Sequence, residues 1–156
     1  MTAYIGIDPG QTGGLALVSA RGELVDVQRM PVIDTEVSGL LLAALLHDWQ
    51  DMMGDAVKVI IEQVNSMPGQ GVSSTFKFGK NFGVALGVVQ AMGLPMERVR
   101  PQQWKPTFTL IGKDKDASRG KATELWPSMA NRWKLKVDNG LTDAALLAEH
   151  GRRASL

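Results

Sequence analysis

The first residues alternate little. Ala-Tyr-Ile-Gly-Ile over positions 3–7 is an almost unbroken apolar run that ends on a carboxylate, Asp8, and enters the glycine-rich turn Pro9-Gly10-Gln11-Thr12-Gly13-Gly14. Runs over 14–20 and 23–30 surround an Arg21-Gly22 turn, so the chain is expected to open as a three-stranded meander. Over 36–53, Leu40, Leu41, Ala44, Leu45, Trp49, Met52 and Met53 recur at helical spacing until Gly54, which predicts an amphipathic helix. The β-branched run 57–62 suits a central strand and also ends on a carboxylate, Glu62. A Gly- and Pro-containing loop over 65–71 leads to a helix predicted over 74–92. There Gly79, Gly83 and Gly87 recur every four residues, so they share one face and admit another backbone, protein or nucleic acid. A strand over 96–100 stops at Pro101, a helical turn begins at 102–105, a helix over 117–126 stops before Pro127, and a last helix over 141–150 closes at Gly151. This order predicts an α/β fold, a mixed central sheet flanked by helices, in a single domain spanning 1–156.

Composition narrows the chemistry. With 44% hydrophobic and 21% charged residues the chain has globular, not disordered, composition. It has no cysteine, so disulfides and thiolate metal sites are excluded, and only His47 and His150 offer imidazole. A bound metal would be held mainly by oxygen, which favours Mg²⁺ or Mn²⁺. The net charge of +1 hides a local excess. Between 98 and 136 stand Arg98, Arg100, Lys105, Lys113, Lys115, Arg119, Lys121, Arg132, Lys134 and Lys136 against Asp114, Asp116 and Glu124, which is a polyanion surface or a solvated face. Neither a charged segment before an apolar stretch nor an apolar run of membrane-spanning length is present, so a cytoplasmic protein without membrane contact is expected.

Carboxylates at the ends of buried strands are costly without a compensating partner. Asp8 and Glu62 on neighbouring parallel strands would project from one sheet edge, and a carboxylate from the last helix would complete a pocket. Such a cluster repels itself at neutral pH unless a dication neutralises it, which points to Mg²⁺ and, with two ions about 4 Å apart, to phosphodiester cleavage. Asp138 and Asp143 are the candidates from the C-terminal segment. Five positions apart, they lie about 140° apart on a regular helix, so Asp138 is expected in the entry loop. Asn139 shares the face of Asp143 and offers a neutral amide oxygen instead; the spacing leaves both open. Each carboxylate also has a plain structural reading, as turn starter, strand-end charge or first-turn helix residue.

The ordered set Ile5-Gly6-Ile7-Asp8-Pro9-Gly10 with Gly13-Gly14, Ile60-Ile61-Glu62-Gln63, Phe78-Gly79 with Phe82-Gly83, Pro101-Gln102-Gln103-Trp104-Lys105, Lys115-Asp116-Ala117-Ser118-Arg119, Glu124-Leu125-Trp126-Pro127 and Asp143-Ala144-Ala145-Leu146-Leu147 resembles the RuvC-like Holliday junction resolvases. Within that ribonuclease H-like group it is similar to phage and prophage members and to the chloroplast resolvase. The resemblance implies a dimeric, Mg²⁺-dependent endonuclease that nicks opposing strands of a four-way DNA junction in a bacterial host cell. Its metal carboxylates would fall on Asp8, Glu62, Asp138 and Asp143. Relatives often carry His or Asp where this chain has Asn139.

The remaining residues suit that implication. Phe76, Lys77, Phe78 and Lys80 follow Glu62 in a segment expected above the pocket, where rings and ammonium groups meet unstacked bases and phosphates, although the rings also suit a core. Lys105, Lys113, Lys115, Arg119 and Lys121 are phosphate candidates, and Lys115 is a candidate for stabilising charge at the scissile phosphate. The glycine-spaced helix is the candidate dimer interface. Two other classes fit less well. The Asp8-to-Thr12 turn imitates that of the sugar kinase and actin superfamily, whose duplicated fold needs a longer chain, and an idle DNA-binding module would not need Asp8, Glu62 and Asp143 together.

Overall fold

The computed structural model describes residues 1–54 and 56–156. Strands β1 (Ala3–Asp8), β2 (Gly14–Val18) and β3 (Leu24–Arg29) form the expected antiparallel meander, with Asp8 opposite Gly14 and Gly14 opposite Arg29. After the hairpin β4 (Val32–Ile33) and β5 (Glu36–Val37) and helix α1 (Gly39–Met53), strand β6 (Val57–Glu62) pairs parallel to β1. Helix α2 (Val72–Ala91) and strand β7 (Met96–Val99) follow, and β7 pairs parallel to β6. The main sheet therefore runs β3-β2-β1-β6-β7 and is mixed. The chain ends with α3 (Pro101–Trp104), a 3₁₀ turn Lys105–Phe108, α4 (Ala117–Leu125), 3₁₀ turns Pro127–Arg132 and Lys136–Asp138, and α5 (Asn139–Ala154).

Apolar residues cover both sheet faces, as central strands require. Ile5, Ile7, Val59 and Ile61 pack with Leu42, Leu46 and Trp49 of α1 and Ala85 and Val89 of α2. Tyr4, Ile60, Ala16 and Val18 pack on the other face with Ala144, Ala145 and Ala148 of α5, Ala122 of α4, and Trp104. Among the described residues no helix is long and apolar enough to cross a membrane.

Several boundaries differ from expectation. The helix expected over 36–53 starts at Gly39, because Val37 N donates to buried Asn81 Oδ1 of α2 at 3.1 Å and holds 36–37 extended. Ser38 then caps the helix, its Oγ accepting from Leu41 N at 3.2 Å. The last helix begins at Asn139 and not near 141, so Asn139 lies inside it and Asp138 in the preceding 3₁₀ turn. The glycine face of α2 is open: a Cβ at Gly79, Gly83 or Gly87 would meet nothing within 4 Å. Val72 and Phe76 continue that open face, 89% and 73% exposed.

Candidate active site

Alternation along β1 places Tyr4, Gly6 and Asp8 on the face that receives α5. Gly6 pairs with Ile60 and Ile7 with Ile61, so Asp8 and Glu62 end adjacent parallel strands on that same face. Glycine brings the helix close. A Cβ at Gly6 would lie 1.8 Å from Ala144 O, one at Gly14 2.8 Å from Gly140 O, and one at Gly140 2.5 Å from Thr12 O. No side chain fits between these backbones, and the contact carries Asp143, one residue before Ala144, to the end of β1.

The three carboxylates act on one another. Burial pushes Asp8 well above the usual carboxylate range, the charges of Asp143 and Glu62 add to the effect, and Lys105 opposes it. Burial likewise pushes Asp143 up to about 6; Glu62 adds to this, while the nearby Ser118 hydroxyl and Lys105 oppose it. Glu62 is raised by burial too, against a hydrogen bond from Trp104 and the charge of Lys105. That bond is short: fully buried Trp104 donates Nε1–H to Glu62 Oε2 at 2.6 Å. Lys105 Nζ stands 5.8 Å from the centre of the same indole ring.

Asp8 and Asp143 open into a cleft of about 560 Å³, whose rim carries Lys105, Lys113, Lys115 and Lys136. Glu62 is buried, 8% exposed, and does not line the cleft wall. Among the described residues no three His, Cys, Asp or Glu side chains are gathered closely enough to hold a metal ion as they stand. The donor set nevertheless suits a hard dication, since it is all oxygen, largely withdrawn from water and mutually repelling, with Lys105 the one cation acting on all three carboxylates.

Asp138 is not brought to this cleft. Its Oδ1 accepts from Arg29 Nη2 at 2.5 Å and its Oδ2 from Leu135 N at 3.0 Å, which leaves it as a buried anchor of the 3₁₀ turn. The pairing with Arg29 spans 109 residues and carries no local signal. Asn139 does line the cleft, but its amide bonds Asp116 and Arg119. The other candidates divide in the same way. Lys105, Lys113 and Lys115 form no salt bridge among the described residues, whereas Arg119 pairs with Asp116, Lys121 with Glu124 at 2.9 Å, and Lys80 with Glu36. Phe76 and Lys77 are exposed. Phe78 is half-buried, stacked on Phe82 at 6.2 Å between ring centres and placed 3.5 Å from where a Gly10 Cβ would lie. Gly10 has φ +120°, a backbone conformation that favours glycine there. Sequence reasoning did not single out Trp104 as the partner of Glu62, nor Lys136 on the rim. Their placement depends on how α3 and the 3₁₀ turn before α5 fold back over the sheet, which local pattern does not encode.

No family model and no curated protein matches the sequence. Solved structures do match. RuvC of T. thermophilus in complex with Holliday junction substrate aligns with TM-score 0.70 and 18% identity, covering 99% of this chain and 96% of that one. A further Thermus thermophilus RuvC structure aligns with TM-score 0.62 and 19% identity, over 99% and 97% of the two chains. The yeast mitochondrial Holliday junction resolvase aligns with TM-score 0.58 and 14% identity, over 97% of this chain and 79% of that one. The chain thus has the ribonuclease H-like α/β fold of RuvC, and the resemblance read from its motifs is borne out at the level of the fold.

Proposed function

We propose that this chain is a metal-dependent DNA endonuclease that resolves four-way (Holliday) junctions by paired nicks on opposing strands. The observation that carries this reading is the set of three buried, mutually repelling carboxylates, Asp8, Glu62 and Asp143, beside a lysine-rimmed cleft at the end of the sheet. The likeness in fold to RuvC and to a mitochondrial resolvase supports it.

Asp8, Glu62 and Asp143 would hold Mg²⁺ or Mn²⁺, two ions per site; such ions supply an activated water and a stabilised leaving oxygen in phosphodiester hydrolysis. The chain's own groups prepare the site. Trp104 orients Glu62 and favours its ionised form through the indole N–H, while Lys105 offsets the negative charge shared by all three carboxylates. Lys113 and Lys115 present ammonium groups at the rim, where they attract the phosphate backbone, and Lys115 stabilises charge at the scissile phosphate. Exposed Phe76 and Lys77, near the start of α2, offer a ring for an unstacked base and a charge for its phosphate. The open face of Gly79, Gly83 and Gly87 would join two copies about a two-fold axis, so that two clefts address opposing strands of a two-fold junction.

Substrate choice tests the reading. On matched four-way, flapped and duplex DNA in Mg²⁺, the junction is expected to be cut at least about tenfold faster, a preference of about 1.4 kcal/mol. Equal rates on flap and junction would make it a nuclease for branched DNA in general. Equal rates on duplex would overturn junction recognition.

A further inference from the structure

Asn139, the first residue of α5, stands four residues before Asp143, and both ends of its amide are occupied. Its Nδ2 donates to Asp116 Oδ1 at 3.0 Å, and its Oδ1 accepts from Arg119 Nε at 2.8 Å. A carboxylate only accepts and a guanidinium only donates, so these neighbours fix the amide's orientation. Arg119 also reaches Asp116 Oδ1 at 3.3 Å and donates to Lys134 O at 2.9 Å, and Lys136 Nζ stands 3.6 Å from Asp116 Oδ2. The hydrogen bond from Asn139, then one from Arg119 and the charges of Lys136 and Arg119, hold the Asp116 carboxyl below its usual range against the cost of desolvation.

Asp116 closes the segment that carries Lys113 and Lys115 to the cleft rim. That segment is irregular. Gly112 has φ +73°, Lys113 N donates to Leu110 O at 3.1 Å, and Asp116 N donates to Asp114 Oδ1 at 2.7 Å. Asp116 and the amide of Asn139 attach this segment to the start of α5, and just beyond it Ser118 Oγ lies 2.9 Å from Thr142 Oγ1, joining α4 to α5.

We propose that Asn139 is a positioning residue whose amide clasps Asp116 and Arg119 and so holds the lysine-bearing loop against the start of α5. It is not a metal ligand. An amide is required here because it serves a carboxylate and a guanidinium at once; an aspartate in its place would face Asp116 as a like charge about 3 Å away. The clasp stands on geometry alone, and its purpose, aligning Lys113 and Lys115 with bound DNA, rests on the function proposed above.

An exchange of the two partners tests it. Asn139→Asp, Asp116→Asn and the double variant are compared with wild type for four-way junction affinity in EDTA, for the Mg²⁺ concentration that half-saturates cleavage, and for hydrogen exchange of amides 113–117. Each single variant is expected to weaken junction binding without metal about tenfold and to speed exchange of the loop. The double variant again pairs an amide with a carboxylate and keeps Arg119 beside a carboxylate; it is expected to return both measures to within about twofold of wild type. The Mg²⁺ requirement of the double variant should match that of wild type. Additive losses in the double variant would overturn the clasp, as would an Asn139→Asp protein that binds normally in EDTA and cuts at lower Mg²⁺ whatever stands at 116. Should wild type show no preference for the junction, the functional reading falls alone. Loop exchange then decides the clasp, and equal exchange in all four proteins would overturn it.

Discussion

Asp143 shows how the site works against the stability of its own fold. With a pKa of about 6 when folded against 3.8 when free, its protonated form is the one the folded state favours. Its contribution to stability is fully present below pH 3.8 and is lost as pH rises through 6. Asp143→Asn is therefore expected to stabilise the metal-free protein at pH 7 to 8 by about 1 to 3 kcal/mol and to show no gain below pH 4, measured by thermal melts in EDTA. A variant less stable than wild type at pH 8 would contradict the burial and repulsion assigned to this carboxylate. Asp8 and Glu62 were legible as candidates because a carboxylate ending an apolar strand is conspicuous, and Asp143 because it opens the apolar face of the last helix. Asp138 looked equivalent in sequence. Its charge is instead taken up by Arg29, a partner from the far edge of the sheet that no local spacing announces.

Between elements, the decisive contact is α5 lying on β1 and β2, backbone against backbone. The Asp-Pro-Gly turn and the strand order could be read from glycines and apolar runs. The need for Gly6 could not, since a glycine inside a strand does not name the helix that covers it. Gly6→Ala is expected to push α5 away from Asp8, because its methyl group would overlap Ala144 O. It should cost about 3 kcal/mol or more in chemical denaturation and reduce cleavage more steeply than junction binding. A Gly6→Ala protein of wild-type stability would mean that α5 does not sit this close. The start of α1 was misplaced for a related reason: leucine spacing marks a helix, but the bond from Val37 N to Asn81 decides where extended chain gives way to it.

For the whole molecule, periodicity and segment order foresaw the mixed sheet and its helical layers, since each segment's pattern agrees with its place in the fold. Assembly was legible only as a suggestion, from glycines every four residues, and their face is open in the single chain. If that face joins two copies, Gly83→Leu, which meets no obstacle within the chain, is expected to leave the melting temperature within a few degrees. It should also shift sedimentation toward the monomer and convert paired nicks into single ones. A Gly83→Leu dimer as tight as wild type would place the interface elsewhere. The most direct test of the carboxylate cleft as the catalytic centre is cleavage of a labelled immobile four-way junction by wild type and Asp8→Asn, each in Mg²⁺ and in EDTA. Symmetrical nicks on opposing strands from wild type in Mg²⁺ alone, with junction binding retained by Asp8→Asn, are the expected result. Tight junction binding by wild type without nicks in either Mg²⁺ or Mn²⁺, or cleavage that survives Asp8→Asn, would contradict it.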